Sequence, residues 1–210
     1  MTDALLLDCE QAEGGVHLLM TRPDLGSRLD VAPLYELERT ELSGYRGLLV
    51  GLHVDQRYLA ARRPQLEAFL AGGGTVVFCG HVAYPFLAEL SAYRPISGYK
   101  AADLVVARVA EHPVWAGVDV ADLTWRRGVA GFYGRGGNPP PAGATVVHTL
   151  GPKAVPVDFV CRPAVGGRLL VHAGADLWGY LETDGTAARM APQLLDWLAA
   201  GAERPAGGML

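Results

Sequence analysis

The chain has 210 residues, half of them hydrophobic and 19% charged, with a formal net charge of −4. That length and apolar content support one α/β domain with a full core and exclude a disordered segment. The mildly acidic balance excludes the basic footprint of a nucleic-acid binder, and the pairs Arg62-Arg63 and Arg126-Arg127 read as solvated surface.

Ala4–Leu7 is a short apolar run that ends at Asp8-Cys9 and reads as the first strand. Residues 11–45 carry no settled element, because Pro23, Gly26 and Pro33 break every long pattern. Gly47–Leu52 is the second strand and ends at His53. Asp55 then caps a helical segment whose Leu59, Leu66, Phe69 and Leu70 share one face. Pro64 interrupts it, so a loose turn precedes a helix that begins near Arg63.

Glycines 72–74 close that helix. Thr75–Phe78 follows, β-branched and apolar without alternation, as in a strand buried on both faces of a parallel sheet. A short helix is expected around Pro85–Ser91 and a strand over Leu104–Val109. The Gly/Pro-rich stretch Gly131–Gly143 is expected to be an exposed loop or hairpin tip. Thr145–Leu150 and Val155–Val160 pair by pattern, and Arg168–Val171 is the last strand, ending at His172. Met190, Leu194, Trp197 and Leu198 stripe a closing helix. No repeat or linker divides the chain, so residues 1–200 form one domain and 201–210 a frayed tail.

In open α/β sheets ligands bind at the carboxyl edge of the strands. The polar groups expected there are Asp8 and Cys9 after the first strand, His53 and Asp55 after the second, Cys79 and His81 after the third, and His172 and Asp176 after the last. Glycines 72–74 precede their strand, so they do not form a phosphate loop at a helix N-terminus.

Three segments carry a resemblance. They are Leu66-x-x-Phe-Leu-x-Gly-Gly-Gly-Thr-Val-Val-Phe-Cys79, His112-Pro-Val-Trp-Ala-Gly117 and Gly166-Gly-Arg-Leu-Leu-Val-His-Ala-Gly174. On these the chain resembles the class I glutamine amidotransferase-like superfamily, nearest its ThuA-like branch. The resemblance implies a flavodoxin-like, mostly parallel sheet with helices on both faces, here with an antiparallel β excursion near residues 120–165. It also implies that Cys79 stands where amidotransferases carry a cysteine nucleophile on a tight turn. The elbow of that family reads Gly-x-Cys-x-Gly, whereas this chain has Val77-Phe-Cys-Gly-His81. His172 has no glutamate two residues on.

Three readings stay open for the carboxyl edge. In one, Cys79 is a nucleophile with His172 or His81 as base, Asp176 or Asp55 orienting that base, and the amides of Gly80 and His81 holding an oxyanion. In another, His53, Cys79, His81 and His172 bind zinc, although no HxxxH or CxxC spacing supports it. In the third, the catalytic chemistry is lost and the domain binds a small molecule or a protein partner through Asp8, His53, Asp55, Gly80, His81 and Trp178. Trp125, Phe132, Tyr133 and Tyr180 would add aromatic anchors, whereas Trp115, of the same cluster, and Trp197 read better as core packing.

The third reading leads, with the cysteine-dependent hydrolase or amide transferase as its rival. No cofactor or metal is expected, and neither nucleic acid nor membrane is an expected partner; a homodimer fits the family. No apolar run approaches the roughly 18 residues of a membrane span, and the N-terminus lacks the basic flank of a signal peptide. Three cysteines without CxxC spacing form no disulfide framework. The expected setting is therefore cytoplasmic, and the abundance of Ala, Gly and Arg over Lys suggests a GC-rich bacterial source.

Overall fold

Eight strands assemble into a single sheet in the computed structural model, which describes residues 2–9 and 19–201. They are β1 (Ala4–Asp8), β2 (Leu29–Pro33), β3 (Gly47–Val50), β4 (Thr75–Cys79), β5 (Val106–Arg108), β6 (Thr145–Leu150), β7 (Val155–Cys161) and β8 (Arg168–His172). Their order across the sheet is β2-β1-β3-β4-β8-β7-β6-β5. The first five in that order run parallel, and β7, β6 and β5 add antiparallel pairs at one side. The fold is α/β and flavodoxin-like.

Alternation along the strands explains the layering. Leu5 and Leu7 of β1 face one core cluster, and Ala4 and Leu6 face the other. Strands buried on both sides need apolar residues at every position, and β3 and β4 supply them. One face is covered by α1 (Gln56–Ala61) and α2 (Arg63–Ala71), through Leu59, Leu66, Phe69 and Leu70. The other is covered by α4 (Met190–Ala199), through Leu194, Trp197 and Leu198, with Trp115 beside it. The short α3 (Val120–Thr124) guards the β5 edge, where Thr124 Oγ1 accepts the Val106 amide at 2.9 Å.

Local chemistry sets the boundaries. The Asp55 carboxylate accepts the amides of Arg57 and Tyr58, both at 3.0 Å, and starts α1. The chain breaks at Arg62 and restarts with Pro64 in the first turn of α2. Gly73, with φ +88°, then turns the chain out of α2 and into β4.

Four expectations change. Residues 11–45 do hold a strand, β2, in their described part, while residues 10–18 lie outside the described residues. No helix forms at Pro85–Ser91, because Gln56 and Asn138 hold the preceding backbone in an irregular path. The strand expected over Leu104–Val109 is confined to Val106–Arg108, since Ala101–Leu104 forms a turn of 3-10 helix. The stretch Gly131–Gly143 is not an exposed tip. Gly136–Gly137 pairs with Arg94–Pro95, and Gly131, Tyr133, Gly134 and Asn138 are buried. The tail expected over 201–210 lies, from residue 202, outside the described residues. Among the described residues no helix is long and apolar enough to cross a membrane.

Candidate functional site

A row of polar side chains crosses the sheet in register. Cys79 of β4 pairs with His172 of β8, His172 with Asp158 of β7, Asp158 with His148 of β6, and His148 with Arg108 of β5. The β6–β7 register slips on either side of His148, the kind of irregularity that re-aims a side chain. Cys79, His148, Asp158 and His172 are each 0% exposed.

Asp158 is the hub. His172 Nδ1 meets its Oδ1 at 2.6 Å, His148 Nδ1 meets its Oδ2 at 2.9 Å, and the Tyr133 hydroxyl donates to Oδ2 at 2.6 Å. Arg108 Nε donates to His148 Nε2 at 3.2 Å. That bond needs a lone pair on Nε2, so the His148 proton sits on Nδ1, where it can donate to Asp158. Burial pushes the Asp158 carboxyl up, but attraction to His172 and the hydrogen bonds from both histidines outweigh it and hold the group below the usual carboxylate range. A buried carboxylate that accepts three bonds stays charged without a cation at every contact.

Cys79 sits within its strand, not on a turn beyond it. Burial, and then the neighbouring Asp176 carboxylate, push its thiol well above the ordinary value, and the backbone of Leu177 opposes them only in part. A reactive thiolate needs the reverse environment. The next amide, Gly80, donates to the His172 carbonyl at 2.8 Å. No helix begins after β4, and residues 80–84 are clamped by two buried amides. Asn138 donates to the Gly80 carbonyl at 2.8 Å and accepts from the Val82 amide at 3.0 Å. Gln56 donates to the His81 carbonyl at 2.8 Å and accepts from Ala83 and Tyr84 at 2.8 and 3.0 Å.

The remaining predicted residues gather at the carboxyl edge in a shallower layer. Asp8, Cys9, Asp55 and Asp176 are partly exposed, and His53 and His81 are exposed. Burial, and then the charges of Asp8, Asp176 and Asp55, push the Cys9 thiol up to about 11. Asp176 Oδ1 accepts the Leu52 amide at 2.8 Å, and burial raises its carboxyl. His81 stacks on Tyr93 with ring centroids 3.8 Å apart, and the partial desolvation of its ring, followed by nearby His172, lowers its imidazole.

Trp178, expected among the ligand-binding residues, is buried, as are Trp115, Tyr133 and Tyr180, whereas Trp125 and Phe132 are exposed. Among the described residues no three His, Cys, Asp or Glu side chains are grouped to hold a metal ion. A groove of about 1270 Å³ opens at the opposite, amino edge, between Glu38, Arg46, Arg62, Phe69 and Gly73. It contains none of the predicted site residues, and its mixed acids and bases define no ligand.

Sequence reasoning missed Asp158, Arg108 and His148, and took Tyr133 for an aromatic anchor where it is buried against Asp158. The available signal was Asp158 itself, a lone charge between Val157 and Phe159 in an apolar run. A charge inside a strand must find partners.

No family model and no curated protein sequence matches the chain. Among solved structures, the mmIFT52 N-terminal domain superposes with a TM-score of 0.55 at 14% identity, over 94% of this chain and 97% of that one. A glutamine amidotransferase from Thermotoga maritima superposes with a TM-score of 0.53 at 14% identity, over 84% of this chain and 76% of that one. At this identity the likeness is one of fold: the chain has a glutamine amidotransferase-like architecture.

Proposed function

We propose that the chain is a divergent amidotransferase-like domain, akin to the ThuA-like branch, that lacks amidotransferase activity and serves as a protein-interaction module. One observation carries the first half. The thiol at the nucleophile position is buried in β4 with a raised pKa, and the Gly80 amide that an oxyanion would need is bonded to His172. The second half rests on the carboxyl edge, where Tyr35 is 64% and Tyr84 45% exposed beside His53, Asp55 and His81. Small-molecule sites enclose their ligands; an open surface of tyrosines and charges is better suited to a protein face. A second copy of the chain is one partner such a face admits.

The test combines glutamine hydrolysis with iodoacetamide labelling of Cys79 across pH. No hydrolysis, and slow labelling that His172→Ala leaves unchanged, is the expected result. Fast labelling with an apparent pKa below about 7.5, raised in His172→Ala, would overturn the reading. It would favour the cysteine-dependent hydrolase, which draws its support from the register pairing of Cys79 with His172 and the Asp158 carboxylate behind that ring.

A further inference from the structure

Among the described residues, five buried side-chain nitrogen or oxygen atoms lack a hydrogen-bond partner. Three of them, His172 Nε2, Trp178 Nε1 and Tyr180 Oη, fall within residues 172–180. Their residues are at most 1% exposed. Buried polar atoms without partners are rare in folded proteins and destabilise the packing that hides them. Segment 172–180 is thus where the described interior is least well satisfied.

The same segment covers the polar row and is fastened from three directions. Asp176 accepts the Leu52 amide at 2.8 Å, beyond β3. Leu177 lies with Cys79 of β4 in one buried apolar cluster. Arg126 donates to the Gly179 carbonyl at 3.2 Å, and its guanidinium lies 4.7 Å above the Tyr180 ring. Gly174 lets the segment lie flush: a Cβ there would come within 2.5 Å of His172 Nε2 and 2.0 Å of the Tyr133 carbonyl oxygen. The polar fastenings are few and water can replace them, while the burial of Leu177, Trp178 and Tyr180 supplies the rest of the hold.

We propose that residues 174–181 form a lid over Cys79 and His172, opening as a unit while the sheet stays folded. Opening hydrates His172 Nε2, Trp178 Nε1 and Tyr180 Oη and uncovers the Cys79 sulfur. Closing returns Leu177, Trp178 and Tyr180 to the apolar core, so the closed form dominates. The lid does not depend on the proposed function, because it covers a reactive and an inert thiol alike.

The experiment is native-state labelling of Cys79 with iodoacetamide at increasing urea, read by peptide mass, with hydrogen exchange of residues 177–181 alongside. A lid gives labelling through an opening much less sensitive to urea than global unfolding. Asp176→Ala then speeds labelling at least tenfold relative to global opening. Arg126→Ala, which touches the lid only at Gly179 and Tyr180, does the same and serves if the Asp176 variant does not fold. Labelling with the urea sensitivity of global unfolding in wild type and variants overturns the lid. So does fast, urea-independent labelling of the wild type, which would mean the thiol is never covered. The pKa of the labelled thiol judges the functional reading separately.

Discussion

Cys79 and His172 are direct register partners on adjacent parallel strands, yet the imidazole of His172 is committed to Asp158 through Nδ1 at 2.6 Å. Adjacency across a sheet brings a thiol and an imidazole together, but it does not activate the thiol. Activation needs a site that favours the thiolate, and here burial and the Asp176 carboxylate both disfavour it. The histidine is better understood as one arm of a buried network that ties β4 and β8 to the antiparallel end of the sheet.

That network predicts a large effect at Asp158. Asp158→Asn keeps the shape but removes the charge and replaces one acceptor oxygen with an NH2 that must face either His172 or both His148 and Tyr133. A broken buried network of this kind costs about 3–5 kcal/mol, to be read from the urea midpoint. The acid limb should change as well. The carboxyl is held below its unfolded value, so its stabilisation is complete above about pH 4 and is lost as pH falls further. The asparagine variant should lack that limb.

The clamp on residues 80–84 gives a second prediction. Asn138→Ala leaves the Gly80 carbonyl and the Val82 amide unpaired in a buried setting. At about 1–3 kcal/mol for each such group, partly relieved by local rearrangement, the loss should be about 2–4 kcal/mol. Hydrogen exchange should quicken at Val82 more than at Ala83 and Tyr84, which Gln56 still holds.

Four of the five parallel strands were legible because they announce themselves locally, whereas β2, largely exposed and set among Pro23, Gly26 and Pro33, did not. Thr75–Phe78 and Gly47–Val50 are apolar at every position, and Asp55 and glycines 72–74 punctuate the helices between them. The carboxyl edge followed from strand order, which brought Asp8, His53, Asp55, His81 and Asp176 to one side. What stayed hidden depends on contacts far apart in sequence. Asp158 and Tyr133 meet across 25 residues and Arg108 and His148 across 40, and no local period signals either pair. Tyr133, Trp178 and Tyr180 were misplaced for the same reason, since residue type alone does not distinguish an exposed anchor such as Trp125 from a core residue such as Trp178.

His112 predicts a separate acid response. Its Nδ1 accepts the Val114 amide at 3.3 Å, and its ring packs edge-on against Trp115 and Trp197. Burial, and then the Arg168 charge, lower its imidazole to about 4. With the folded value below the unfolded one, its stabilisation is whole above about pH 6.5 and disappears as pH falls toward 4. Solvent at its open edge limits the effect to about 1–2 kcal/mol. His112→Asn keeps a side-chain acceptor for the Val114 amide and should flatten stability across that window, as measured by thermal unfolding at stepped pH.

Two glycines of the 131–143 stretch separate the reasons a chain needs glycine. Gly143 has φ +79°, and a Cβ there would have nothing within 4 Å, so alanine meets only backbone strain, about 1–2 kcal/mol. Gly137 has no positive φ, but a Cβ there would lie 2.0 Å from the Pro156 carbonyl oxygen. Neither backbone can yield easily, because Gly137 pairs with Arg94 and Pro156 pairs with Thr149. Gly137→Ala should therefore cost more than Gly143→Ala, roughly 3 kcal/mol or above. It should also loosen neighbouring Asn138 and, through it, residues 80–82, which hydrogen exchange would register. Equal stabilities for the two variants would mean that the close approach of Gly137 to β7 is not what holds this stretch under the sheet.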